Sequence, residues 1–425
     1  MTTRCLIQRI GAGLLLMSLA VNVFAQPGPI SGKYIVLLKA GVSPSAVAGR
    51  HGVAPDFVYG TAVNGFAGSI PPGRLRALEN DPHVEAIVQN HTVYAFAKPG
   101  GGGTSTSTQV IPEGVKRIGA APGSLGVTGV GVGVAVVDTG VDLQHADLAP
   151  VVNAFSAFGG SAQDDNGHGT HVAGIIAAKN NTRDVVGVAP GAQIYAVKVL
   201  DASGSGSDAD VIAGLDFVAE NAHTANPPIR VVNMSLGRMA SSDDSAMHTA
   251  IQNLISHGVT VVVAAGNDCG SVIAEQVPAG FPEVIAVAST TAKDGVKNRF
   301  GFGIAKDTAS YFTTDGDGVT ISAPGEDQEN VSNGYFLSSV GILSTRLGGG
   351  TTRMSGTSMA SPHAAGVAAL LYQQNGNVSP TAVRSKLAAG ASSIGSAPKD
   401  SPTGCYSFDN VREGVLYVPG AFAAP

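Results

Sequence analysis

Short apolar runs broken by polar or glycine-rich segments recur along the whole chain, and their spacing changes from one region to the next. The first run, Ile10 to Val21, follows Arg4 and Arg9 and leads to Val23-Phe24-Ala25. It is too short for a bilayer, which takes about 20 apolar residues. With a basic start and small residues before a cut, it predicts a removable signal over residues 1–25. Beyond it, Lys33 to Leu38, Phe57 to Tyr59, Gly65 to Ile70, Val84 to Val88 and Thr92 to Phe96 read as strands. Ser43-Pro44 and Pro71-Pro72 open helices between them, the second ending near Asn80. The order β-α-β-β-α-β predicts a small ferredoxin-like α+β unit over residues 26–97. A unit that small is marginal alone and gains stability by docking on a larger neighbour.

From Lys98 to Thr108 the pattern collapses into glycine, serine and threonine, which predicts a flexible, cleavable linker over 98–108. From Gln109 to Pro425 the periods alternate. Strands are expected at Val130 to Asp138, Ile194 to Leu200, Ile229 to Met234, Val259 to Ala265 and Val284 to Val287. Helices are expected at His168 to Ala178, Asp208 to Asn221, Asp243 to His257 and Ser358 to Asn375. Valine-rich strands alternating with helices predict an α/β domain over 109–425, a doubly wound, mostly parallel sheet with helices on both faces.

Composition narrows the classes. With 44% hydrophobic and 13% charged residues the chain can build a large core, which excludes a disordered protein. Its 57 glycines follow no three-residue period, which excludes collagen. A net charge of −6 without a Lys/Arg cluster predicts no nucleic-acid partner. No other run reaches spanning length, so the mature protein is expected to be secreted, without a stable membrane anchor. Cys5 falls inside the signal, leaving Cys269 and Cys405, which in an exported protein either pair or stay as two buried thiols. Neither has a second ligand at zinc spacing.

Three segments carry chemistry. The strand Val134 to Val137 delivers Asp138 at its carboxyl end, before Thr139-Gly140, where α/β sheets place their sites. A carboxylate there can accept a histidine Nδ1 proton and fix the tautomer; by itself it is equally a turn cap. Asn166-Gly167-His168-Gly169-Thr170-His171-Val172-Ala173-Gly174 opens a helix with His168. His168 and His171 lack the i, i+4 spacing and intervening glutamate of zinc proteases, so His171 is read as a packed histidine. Gly356-Thr357-Ser358-Met359-Ala360-Ser361-Pro362-His363 starts another helix at Ser358, whose first amides have no internal acceptor and can face an oxyanion. A plain Ser cap is the alternative. The strand Val261 to Ala265 ends in Gly266-Asn267, and the Asn267 amide can donate to that same oxyanion.

Read together, Asp138, His168 and Ser358 in that chain order exclude the chymotrypsin order and the Ser-Asp-His order of α/β-hydrolases, whose G-x-S-x-G is also missing. The stretches around Asp138, His168 and Ser358 resemble the three signatures of the subtilisin-like serine protease family, and the match runs from about Gln109 to the C-terminus. The resemblance implies a secreted serine endopeptidase with Asp138 as orienting acid, His168 as general base, Ser358 as nucleophile and Asn267 as oxyanion donor. It implies that residues 33–97 form an inhibitory propeptide, self-removed near Ala97 with trimming as far as Thr108. Ser235, Leu236 and Gly237 would pair with an extended peptide, and Ala264, Ala265 and Gly266 would wall an apolar P1 pocket. Asp268, beside Asn267, is the one residue that argues against an apolar pocket. A structural Ca²⁺ is implied at Gln109, Asp147 and Asn181 with the carbonyls of Lys179, Arg183 and Val185, a hard-oxygen set. The expected partners are protein or peptide substrates and the chain's own propeptide, on a monomer. The stretch Gly325 to Gly341 exceeds the family's minimal pattern and has no assigned role.

Overall fold

The computed structural model describes residues 28–97, 108–148, 150–403, 405–406 and 408–425. The expected signal and most of the linker lie outside the described residues.

The small unit runs β1 (Pro29–Leu38), α1 (Pro44–Arg50), β2 (Pro55–Tyr59), β3 (Gly65–Ser69), α2 (Pro72–Glu79) and β4 (Val84–Ala95). Ser43 caps α1, its side chain accepting from Ala46 N with Pro44 next in line, as the Ser-Pro pair predicts. The two last strands expected from the pattern are a single strand, β4. Its first half pairs with β1 and its second half with the larger unit.

That larger unit begins with α3 (Glu113–Arg117) and β5 (Gly133–Asp138), followed by β6 (Val152–Ser156), α4 (His168–Ala177) and β7 (Gln193–Lys198). β8 (Ser205–Ser207), α5 (Asp208–Asn221), β9 (Ile229–Met234), β10 (Leu236–Met239), α6 (Ser245–Ser256), β11 (Thr260–Ala264) and β12 (Gln276–Val277) come next. β13 (Ile285–Thr291), β14 (Ile321–Val331), β15 (Leu337–Thr345), β16 (Thr351–Met354), α7 (Thr357–Asn375), α8 (Pro380–Ala389) and α9 (Val418–Ala423) complete it. The main sheet has the order β16-β15-β14-β13-β11-β9-β5-β7-β6. It is parallel from β6 to β14 and antiparallel from β14 to β16.

The central strand β5 is buried along its whole length, which is why its sequence shows no polar alternation. Val134 and Val136 face one core with α4 and α7, while Ala135 and Val137 face the other with α5 and α6. α7 is buried from Thr357 to Tyr372, so it is the helix around which one layer packs. The surplus segment 325–341 is the β14–β15 hairpin, which extends the parallel sheet by antiparallel pairing at its edge.

Candidate active site

The elements above bring the carboxyl end of β5 and the start of α4 together. His168 Nδ1 lies 2.8 Å from Asp138 Oδ1, and both side chains are fully buried. The surrounding turn holds this pair. Thr139 N donates to Asp138 Oδ1 at 2.7 Å, and Thr139 Oγ1 donates to Asp164 Oδ1 at 2.9 Å. Asp164 Oδ2 in turn accepts from the Thr170 amide at 3.0 Å, so one buried carboxylate ties the Asp138 turn to α4. Nothing in the sequence pattern marks Asp164. A β-carbon at Gly169 would collide with the Gly140 carbonyl oxygen and lie 3.1 Å from Asp138 Oδ1, which explains the glycine after His168.

His171 is buried, with Nε2 3.0 Å from the Ile342 carbonyl. Burial first, then the neighbouring His168, lowers its pKa to about 3, so it stays neutral and has a packing role.

Ser358 is the second residue of α7 and not its cap, which is Gly356. Its Oγ donates to the Ser235 carbonyl at 3.0 Å, while His168 Nε2 is buried without a hydrogen-bond partner. The series is thus closed between His168 and Asp138 and open between Ser358 and His168. Catalytic hydrogen bonds commonly tighten only when substrate is in place.

Asn267 is oriented by Thr357. Its Oδ1 accepts from both Thr357 N and Thr357 Oγ1 at 2.9 Å. That leaves Nδ2 as a donor aimed into the cleft, where it bonds the carbonyl of Phe96. An aspartate could accept from Thr357 equally well and could not donate.

Phe96 arrives there at the end of β4, which lies between two strands of the larger unit. Thr92, Val93 and Tyr94 pair with Ser207, Gly206 and Ser205. Tyr94 and Ala95 pair with Gly237 and Leu236. Ala95 N donates to Gly204 O at 3.0 Å and Phe96 N to Ser235 O at 3.3 Å. The Phe96 ring rests on Gly237, where a β-carbon would lie 2.5 Å from its Cζ. Ser235, Leu236 and Gly237 therefore line the bound segment. The 204–207 edge opposite them was missed in the sequence, because Ser-Gly-Ser carries no hydrophobic signal.

Ala264 and Ala265 are fully buried. At Gly266 a β-carbon would come within 3.1 Å of Gln276 Oε1, making Gln276 a further wall. Asp268 turns to its own loop, accepting from Gly270 N at 3.3 Å and Ser271 Oγ at 2.7 Å. The following residue, Cys269, is disulfide-bonded to Cys405 with their Cα atoms 5.5 Å apart.

Contacts outside the cleft also fix the small unit. Asp216 on α5 accepts the amides of Gly60, Thr61 and Ala62 at 3.1, 2.7 and 2.6 Å. Tyr59 OH donates to the Ala209 carbonyl at 3.0 Å.

A separate cluster gathers most of the expected calcium residues. The Gln109 side chain lies 2.8 Å from the Lys179 carbonyl and 3.4 Å from that of Val185. Asn181 lies 2.7 Å from Asp147 Oδ1, and Val185 N donates to Asp147 Oδ2 at 3.0 Å. Arg183 enters only through its amide, which donates to Asn181 Oδ1 at 2.8 Å. Burial raises the Asp147 pKa. The Gln109 and Asn181 amide nitrogens donate within this cluster, to the Lys179 and Val185 carbonyls and to the buried Asp147 carboxylate, so the set fits a hard cation once both amides turn their oxygens inward. No group of three or more His, Cys, Asp or Glu that could hold a metal occurs among the described residues, so amide and carbonyl oxygens would have to complete the shell.

Comparison with known proteins places this geometry. Residues 129–405 match the subtilase family, and residues 33–96 match the peptidase inhibitor I9 family. The chain belongs to the subtilase family and is a serine-type endopeptidase with an N-terminal inhibitor domain. It is 38% identical over 330 residues to an alkaline protease of Shouchella clausii, covering 77% of this chain and 74% of that protein. It is 33% identical over 380 residues to subtilisin E of Bacillus subtilis (strain 168), covering 86% of each. An extracellular serine proteinase of Thermus sp. (strain Rt41A) is 35% identical over 392 residues, covering 85% of each. The fold matches a crystal structure of fervidolysin from Fervidobacterium pennivorans, a keratinolytic enzyme related to subtilisin. The TM-score is 0.70 at 24% identity over 93% of this chain, which spans 61% of that protein's length. No helix among the described residues is long and apolar enough to cross a membrane.

Proposed function

We propose that this chain is the precursor of a secreted endopeptidase that cleaves itself at Phe96–Ala97 and then cleaves other proteins through Ser358, His168 and Asp138. The observation that carries the reading is the Phe96 carbonyl, held by the Asn267 amide at the end of a strand paired on both edges. That is how a substrate bond would lie. The cut falls one residue before the domain end expected at Ala97. The remaining divisions stand as part of this proposal: a signal over 1–25, a linker to about 108 and a peptidase domain from 109.

Catalysis begins when the Ser358 hydroxyl turns from the Ser235 carbonyl to the unpartnered His168 Nε2. Its Oγ attacks the carbonyl carbon and His168 takes the proton, while Asp138 holds Nδ1–H and stabilises the imidazolium. Negative charge on the carbonyl oxygen meets Asn267 Nδ2–H and the Ser358 amide at the start of α7. His168 gives its proton to the leaving amine, and water then hydrolyses the acyl-enzyme by the reverse roles. Backbone pairing with 204–207 and 235–237 would give affinity independent of sequence. Phe96 on Gly237 supports a preference for apolar P1 residues. After the cut, residues 26–96 remain as an inhibitor held by Asp216 and the cleft.

Gln109, Asp147, Asn181 and the carbonyls of Lys179 and Val185 would hold Ca²⁺, which supplies charge for Asp147 and pins the 179–185 loop. Labelling tests the nucleophile. A fluorophosphonate should modify the processed wild type at Ser358 and leave Ser358→Ala unlabelled. Equal labelling of both would refute the assignment.

A further inference from the structure

The β14–β15 hairpin ends in a patch that the catalytic reading does not use. Phe336 is 54% exposed, and Phe300 and Val296 on the loop laid along it are 58% and 63% exposed. Tyr335 stacks on Phe300 with centroids 5.9 Å apart and planes 4° apart, and Phe302 meets Tyr335 at 6.1 Å. Adjacent aromatic rings left in water mark a contact surface rather than scattered exposure.

The patch is built. Val296 N and Arg299 N donate to Asn330 and Asn333 side chains on the hairpin at 2.8 and 3.0 Å. Asn298 Oδ1 accepts the amides of Phe300 and Phe302 at 3.0 and 3.1 Å.

The patch is also positive. Lys297 and Arg299 have no acidic partner within ion-pair distance among the described residues, and the Arg299 guanidinium lies 4.6 Å over the Phe300 ring. On a chain of net charge −6 this local sign stands out.

The other end of the hairpin adjoins the cleft. Ser339 Oγ lies 2.6 Å from Ser355 Oγ. Ser355 precedes Gly356, where a β-carbon would lie 3.3 Å from Ala97 Cβ. Ala97 is the first residue beyond the proposed scissile bond. From Ser339 to Phe336 the strand covers about 10 Å at 3.3 Å per residue, a distance that an extended substrate crosses in about three to five residues.

We infer that the β14–β15 hairpin and the 293–306 loop form an exosite for the part of a polypeptide substrate C-terminal to the cut, favouring apolar and acidic side chains there. The inference rests on the endopeptidase reading. Continuity with the cleft favours a polypeptide occupant over a lipid surface, which would need only the patch.

The test uses the processed enzyme and two substrates sharing one acyl side. One ends in a chromogenic leaving group at P1; the other continues for eight residues containing Phe and Asp. Phe300→Ser/Phe336→Ser and Arg299→Glu should raise KM for the long substrate by about 5–10-fold, with kcat unchanged and the short substrate unaffected. Equal losses on both substrates, or none on the long one, would overturn the inference. So would unchanged long-substrate kinetics with loss of binding to phosphatidylglycerol vesicles, which would assign the patch to membranes. Failure of the wild type to cleave the short substrate would instead count against the endopeptidase reading.

Discussion

The Asn267 side-chain amide donates to the carbonyl oxygen of Phe96. The bond joins the larger unit to the last residue matched by the inhibitor family, and its donor is oriented by Thr357, next to Ser358. If this carbonyl occupies the oxyanion position, the donor matters most when charge develops. Asn267→Ala should lower kcat by about 10²–10³-fold with KM within a few-fold of wild type, the loss known for the equivalent donor in subtilisin. Steady-state kinetics on a peptide anilide measures it; a change confined to KM would place Asn267 in ground-state binding.

The Phe96 ring against Gly237 makes P1 size testable. Gly237→Ala should lower kcat/KM for a Phe P1 peptide by at least about tenfold and for an Ala P1 peptide much less, because the new methyl crowds the Val277 carbonyl with either peptide but meets a P1 ring only with the first. Parallel losses on both would show that the substitution disturbs the strand and not the pocket.

Asp147 provides a charge-based check on calcium. With Ser358→Ala to prevent self-digestion, EDTA should lower the unfolding midpoint, and added Ca²⁺ should restore it. Asp147→Asn should start lower and respond to neither. A wild-type midpoint indifferent to EDTA would remove the site.

Glu413 predicts how stability varies with pH. Burial, then the charges of Asp315 and Asp409, raise its pKa to about 8, against which Ser322 Oγ donates to it. A carboxyl raised on folding contributes stability that is complete below its ordinary value of 4.5 and is lost as pH climbs toward 8. The loss approaches about 1.4 kcal/mol per pH unit within that window. Glu413→Gln keeps an acceptor for Ser322 and cannot ionise. It should flatten the fall in unfolding midpoint between pH 5 and 8, read by calorimetry in the Ser358→Ala background. Parallel curves for the two proteins would contradict the assignment.

Much of this was legible in the sequence, for identifiable reasons. The α/β class and the strand ending at Asp138 follow from unbroken valine runs, since a strand buried on both faces needs apolar residues throughout. α5 was bounded correctly because Ser207 and Asp210 form a capping box at its start. Other features carry no local pattern. Asp216 and the 204–207 edge act through backbone partners distant in the chain, and Asp164 through the Thr139 hydroxyl, so only the fold reveals them. The single strand β4 read as two because it passes from one sheet partner to others midway. The stretch 325–341 exceeds the family's minimal pattern, and its buried carboxylates, Glu326 and Glu329, break the apolar pattern that would have marked it as a strand pair.

Mass spectrometry of the expressed protein addresses the central claim most directly. The account predicts that wild type yields a propeptide fragment ending at Phe96, while Ser358→Ala persists as one chain uncut between Phe96 and Ala97. An uncut wild type under folding conditions, or the same Phe96 terminus in the Ser358→Ala protein, would contradict it.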